Sequence, residues 1–254
     1  MLDTMDLERE RGITIKASAV TVHHVIDGEK YELNFIDTPG HVDFTYEVSR
    51  ALTACEGAIL VVDSTQGVEA QTVANAFLAV ESDVELIPVI NKIDLPASDP
   101  TRVAMEIEHV LGLPAEDCLL CSAKSGQGIE DLLKAICLRV PKPRDEAVTQ
   151  TRALIFDCHY DDYRGVVVYF RVFDGSLKIG DRIRMIGTGR TYNITELGRY
   201  TPEPTKVKRL AHGQVGYMVA AIKTIADVRI GDTITIESDP APEPLPGYEE
   251  PKQM

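Results

Sequence analysis

Three short strings follow one another along the chain, each where an apolar run meets a loop: Asp37-Thr38-Pro39-Gly40-His41, Asn91-Lys92-Ile93-Asp94 and Ser122-Ala123-Lys124. Asp94 can accept two hydrogen bonds from the N1 and exocyclic amine of guanine, an arrangement adenine cannot supply. A site built on hydrogen bonds rejects a base that leaves them unpaired. Asn91 can brace its loop, Ile93 shares that loop, and the Lys92 stem can lie over the base plane. The backbone amides of Ser122, Ala123 and Lys124 can read the guanine O6. At the end of its strand Asp37 can hold a magnesium ion, and the Gly40 amide can reach a terminal phosphate with no side chain in the way. Taken alone, Asp, Pro and Gly in that order also make an ordinary strand-end turn. The set matches in residue type, position, order and spacing, and so reads as a site for GTP or GDP with Mg2+.

Arg11-Gly12-Ile13-Thr14 adds a fourth element ahead of these. A Thr14 hydroxyl in a mobile loop can coordinate magnesium while its amide contacts the terminal phosphate, a switch that orders with triphosphate and loosens after hydrolysis. An exposed loop threonine is the plainer reading. His41 can orient an attacking water, its uncharged imidazole supplying direction more than basicity. The chain contains no Gly-x-x-x-x-Gly-Lys-Ser/Thr, the loop that cradles phosphates in such sites. The expectation is a sequence that begins after its own phosphate loop and, as given, binds GTP weakly or not at all and is inactive alone.

The elements that must position these residues can be read from hydrophobic periodicity. Alternating segments at 20–26 and 31–36 flank Asp27-Gly28, a hairpin signal. Short apolar runs at 58–62, 86–90 and 118–121 suit strands buried on both faces. Helical patterns over 42–55, 68–80, 100–111 and 129–140 alternate with them, which predicts a parallel α/β sheet. Asp99-Pro100 supplies a cap and a first-position proline. After Pro141-Lys142-Pro143 the helical period disappears. Strands are expected at 153–156, 166–173, 182–186, 192–197, 216–222 and 233–236, separated by glycine turns, as in a small antiparallel barrel. The division predicted is 1–144, 145–238 and a proline-rich extended linker at 239–254.

The 254 residues are 44% hydrophobic and 26% charged, as in soluble globular proteins. No apolar run approaches the ~20 residues that span a bilayer. The charged N-terminus does not read as a signal peptide, and a cytoplasmic setting is the default. A net charge of −14 argues against general nucleic-acid binding, which needs Lys and Arg. Arg182, Arg184, Arg190, Arg199, Lys206, Lys208 and Arg209 form either a local basic stretch or scattered solvated charges. The five cysteines suit a reducing compartment. Cys118 and Cys121 stand three apart in a strand pattern, so they point to opposite faces and cannot close on one metal.

Arg11-Gly-Ile-Thr-Ile15 followed by Asp37-Thr-Pro-Gly-His-Val-Asp-Phe44 resembles the translational GTPases, as do Gln66-Gly-Val-Glu-Ala-Gln-Thr72 and Tyr163-Arg-Gly-Val-Val-Val-Tyr169. The resemblance runs over essentially the whole chain. It implies a P-loop-type GTPase domain, here without its first strand and phosphate loop, followed by an antiparallel β-barrel of the translation-factor type. It implies Thr14, Asp37, Gly40 and His41 as switch residues, with Thr14 and Asp37 on the metal. Asn91, Lys92, Asp94 and Ser122 to Lys124 are then the guanine contacts. The implied partners are the ribosome, through rRNA and ribosomal proteins, and tRNA upon it, with peripheral membrane association and no obligate oligomer. The implied work is back-translocation or rescue of stalled ribosomes. A non-catalytic ribosome- or partner-binding module, or a piece of an elongation factor G-like or ribosomal-protection GTPase, stand as alternatives. With the family's first strand absent, either a gap or a direct pairing is expected between the strands at 33–36 and 58–62.

Overall fold

Asp27 and Gly28 take positive φ values of 50° and 84°, the left-handed pair that closes a two-residue hairpin. They join β1 (Ser18–Ile26) to β2 (Glu29–Asp37) in unbroken antiparallel register from Ser18↔Asp37 to Ile26↔Glu29. The structure, a computed structural model, describes residues 18–40 and 44–246. Thr14, His41 and the Met1–Glu8 segment lie outside the described residues.

α1 (Thr45–Leu52) leads into β3 (Gly57–Asp63), followed by α2 (Ala70–Glu81), β4 (Glu85–Asn91), α3 (Pro100–Leu111), β5 (Leu119–Leu120) and α4 (Ile129–Arg139). As the Asp-Pro signal predicts, the Asp99 side chain accepts from the Arg102 amide to open α3, and left-handed Gly112 ends it. β3, β4 and β5 are parallel, with Asp63 opposite Asn91 and Ile90 opposite Leu120. Both faces are covered. Leu60, Val62 and Ile90 pack with Ala76 of α2 and Val103 and Ile107 of α3. Ile59, Ile87 and Val89 pack with Leu132, Leu133 and Ile136 of α4. Cys118 joins the first cluster and Cys121 the second, the opposite-face placement their spacing predicts.

The hairpin and the parallel strands are separate sheets. Of the two expected outcomes the gap is the one observed: among the described residues no strand lies between β2 and β3, and each keeps one edge without a ladder partner. Leu33 and Phe35 of β2 nevertheless share the core that holds Ile59 and Ile136. Val61 of β3 stays 57% exposed.

The remaining strands build one large antiparallel sheet and a small separate pair. They are β6 (Arg152–Asp161), β7 (Gly165–Asp174), β8 (Ser176–Lys178), β9 (Arg182–Met185), β10 (Thr191–Asn193), β11 (Glu196–Tyr200), β12 (Pro204–Lys206), β13 (Arg209–Ala211), β14 (Val215–Val219) and β15 (Thr233–Ile236). Eight of them run in the order β10-β9-β15-β6-β7-β14-β11-β12, with β13 and β8 paired separately. All wrap one core that includes Ile155, Val168, Phe170, Leu177, Ile183, Leu197, Leu210, Met218 and Ile234. A register shift between Ile155 and Asp157 puts Ile155 and Cys158 on the same inward face in spite of their odd spacing, as a bulge does.

Two expectations need correction. The strand predicted at 192–197 is broken, because Ile194 turns inward and its amide bonds Asp181 O at 2.9 Å; its halves belong to opposite ends of the sheet. The segment after β15, predicted as an extended linker, is docked over its described part. The Ala241 and Leu245 amides donate to the Thr235 and Thr233 hydroxyls, each at 2.9 Å. Leu245 is buried with Ala19, Ala54, Leu154 and Phe156.

Arg171 of β7 joins the two halves. Only 3% exposed, it donates to the Ala54 carbonyl at 2.7 Å and to the Glu56 carboxylate, and its guanidinium lies 4.4 Å from the centre of the Phe173 ring. Nearby, Glu32 of β2 accepts from Arg199 at 2.9 Å and Gln214 at 3.0 Å. The segments before and after the Asp37–Gly40 turn are thus each tied to the barrel.

Candidate functional site

In a parallel sheet every strand delivers its C-terminal residue to the same edge, so Asp63, Asn91 and the residues after β5 converge there. Asn91 organises that edge. Its Oδ1 accepts from the Lys92 amide at 2.8 Å and from the Ala123 amide at 3.0 Å, stitching two loops thirty residues apart in sequence into one surface. Lys92 has φ 66°, a left-handed conformation that a side chain disfavours by ~1–2 kcal/mol. The Asn91 bond and the Leu95 amide, which donates to Lys92 O at 3.1 Å, hold it there. The Ile93 amide donates to Cys121 O at 3.3 Å and its side chain packs on the core of Leu60, Val62 and Ile90.

Asp94 is exposed, and its Oδ1 accepts from the fully buried Ser122 hydroxyl at 2.6 Å. Ser122 in turn accepts from the Ser125 amide at 3.1 Å, and its own amide donates to Gln127 O at 2.9 Å. No described residue bonds the second Asp94 oxygen, which leaves a braced acceptor facing water. Gly128 closes the loop at φ 74°, against β5, where a Cβ would overlap the Leu120 carbonyl; the loop keeps its path because that residue is glycine.

The structure therefore brings Asn91, Lys92, Ile93, Asp94, Ser122 and Ala123 together, with Lys124 exposed beside them. One detail departs from the expectation for the amides. The Ala123 N–H is taken up by Asn91, so Lys124 is the amide of the three with no described acceptor. Asp37 closes β2 and Gly40 is exposed at the following turn; the Gly40 carbonyl accepts from Asn75 of α2 at 3.4 Å. Among the described residues no three His, Cys, Asp or Glu side chains gather to hold a metal. Magnesium needs no such cage, because it is held by one or two carboxylates and keeps water and phosphate oxygens for the rest of its shell. Asp37 fits that manner of binding.

Sequence reasoning missed Asp63. Its Oδ2 lies 2.7 Å from Lys92 Nζ, and its Oδ1 accepts from the Thr65 amide and hydroxyl at 2.8 and 2.7 Å. Partial burial works to raise its pKa, but the Lys92 and Thr65 hydrogen bonds outweigh that and bring it from 3.8 down to about 2. A signal was present: Asp63 ends its apolar run as Asn91 ends the next. Within the basic stretch of the barrel, Arg182 pairs with Glu237, Arg190 with Asp227, Arg199 with Glu32 of the hairpin and Lys206 with Glu196.

Residues 1–142 match the family described as elongation factor Tu GTP binding domain, and residues 165–235 match elongation factor Tu domain 2. The chain belongs to the translational GTPase family. Over all of its 254 residues it is 59% identical to elongation factor 4 of Microcystis aeruginosa (strain NIES-843), and it is 56% identical to elongation factor 4 of Lactococcus lactis subsp. lactis over 255 aligned residues. It spans 42% of the length of each of these curated relatives. The fold of a translational GTPase is matched among solved structures by a bacterial selenocysteine-specific elongation factor EF-Sec, with a TM-score of 0.75 at 22% identity over 93% of this chain and 40% of that one.

Proposed function

We propose that the chain forms the guanine-nucleotide-binding unit (residues 1–144), the following barrel (145–238) and a connecting segment (239–254) of a ribosome-associated GTPase of the elongation factor 4 kind. GTP is the substrate and GDP the product. Asn91, Lys92, Ile93, Asp94, Ser122, Ala123 and Lys124 hold the base; Asp37 and Thr14 hold Mg2+, the Gly40 amide meets the terminal phosphate, and His41 orients water. Held by Asp37 and Thr14, Mg2+ would supply positive charge to offset the negative charge that develops on the phosphate oxygens. Thr14 and His41 enter on the family's pattern alone. The partners are the ribosome, through rRNA and ribosomal proteins, and tRNA upon it. The setting is the cytoplasm with peripheral contact to the membrane, and the work is back-translocation or rescue of stalled ribosomes. No helix among the described residues is long and apolar enough to cross a membrane.

The observation that carries this reading is the braced carboxylate. Ser122 fixes one oxygen of the exposed Asp94 and leaves the other without a partner among the described residues, beside a loop held by Asn91. That is a preorganised acceptor of the kind guanine requires, on the strand edge where α/β folds bind nucleotides. In the full-length protein Asp94→Asn turns the acceptor into a donor and should lower the preference for GTP over XTP by about 100-fold or more. Competition binding with the two triphosphates measures it. An unchanged ratio would show that Asp94 does not read the base.

A further inference from the structure

Lysine is a flexible four-carbon stem with a strongly hydrated head, and Lys92 is half-exposed on a loop. Nothing in such a residue by itself fixes where the stem lies. Here its direction is set at both ends. The backbone is held left-handed by Asn91, and Nζ meets Asp63 Oδ2 at 2.7 Å. Asp63 is itself immobilised before Lys92 reaches it. Thr65 takes its other oxygen twice, the Ser64 amide donates to Asn91 O at 2.9 Å, and the Asp99 amide donates to Ser64 O at 3.1 Å. The end of β3 is therefore clipped to both ends of the 91–99 loop, and the carboxylate is a fixed anchor rather than a mobile surface partner.

We infer that Asp63 is a positioning residue of the nucleotide site. It pins the Lys92 ammonium, so that the methylene stem presents a fixed apolar edge to the base. This rests on the guanine-binding reading of the same site. It has a second consequence: an ammonium already neutralised by Asp63 contributes surface to the base more than charge to the phosphates. Asp63 touches no ligand atom and acts only through Lys92.

The test is stopped-flow binding of fluorescent mant-GDP to the full-length protein. Asp63→Asn keeps the side chain's shape and should weaken binding about five-fold, the scale of a half-exposed ion pair. It should weaken mant-GMP by the same factor, since the effect falls on the base. In a Lys92→Met background the same substitution should have no further effect. If Asp63→Asn leaves affinity unchanged, or weakens it equally with and without Lys92, the positioning role is overturned and the pair is surface or structural only. Asp94→Asn and Lys92→Met separate that failure from a failure of the underlying reading. If they change guanine binding and Asp63→Asn does not, the role of Asp63 alone falls. If none of the three changes it, the guanine-binding reading falls and the positioning role with it.

Discussion

The two halves of this chain solve the burial problem in different ways. The barrel wraps an eight-stranded sheet and the small β8–β13 pair around one dominant core in which Val166, Val168, Phe170, Leu177, Ile183, Met185, Leu197, Met218 and Ile234 are fully buried. The α/β half divides its apolar residues among three smaller clusters, keeps two sheets where one would close, and leaves Val61 largely in water. The half with the weaker closure is the half that carries the proposed site. Its polar groups lie at strand ends, where backbone and side chains are free to face a ligand. The barrel's outer face instead grips the hairpin through Arg199 and Gln214 on Glu32 and the α1–β3 connection through Arg171.

Removing packing from the barrel should produce the largest effect. Phe170→Ala, at a fully buried position, should cost about 3–5 kcal/mol, seen as a lower midpoint in urea unfolding followed by circular dichroism. A cost below about 1 kcal/mol would mean the barrel core is looser than its burial implies. Breaking the link between the halves comes next. Arg171→Ala leaves Glu56 and the Ala54 carbonyl without their donor and should cost about 3 kcal/mol, the lower end for a buried pair that loses one member, because Glu56 reaches solvent. The change should also separate unfolding into two transitions, the α/β half melting first. A single unshifted transition would show that the halves are coupled by apolar contact alone.

What the sequence revealed was local. The Asp27-Gly28 turn and the Asp99-Pro100 cap specify their elements through residues a few positions apart, and both stand as expected. So do the strand-end positions of Asp37, Asn91 and Ser122. The features that were not legible depend on partners far along the chain. Asp63 acquires its role from a parallel register that sets it opposite Asn91, which no spacing of residues in one segment announces. Ile194 interrupts an apparently continuous strand because Asp181 takes its amide. Leu245 reads as linker until Thr233 and Phe156 provide a place for it. Proline content forecast its lack of regular structure and could not forecast its docking.

The proposed site thus assigns the ligand to the loops of the α/β half and leaves support to the barrel. Hydrogen exchange of the full-length protein with and without saturating GDP tests this division most directly. Slowed exchange is predicted at 91–95 and 121–127 and at the 37–40 turn, while β6, β7 and β14 exchange at the same slow rate in both states. Slowing in the barrel strands with those loops unchanged would contradict it.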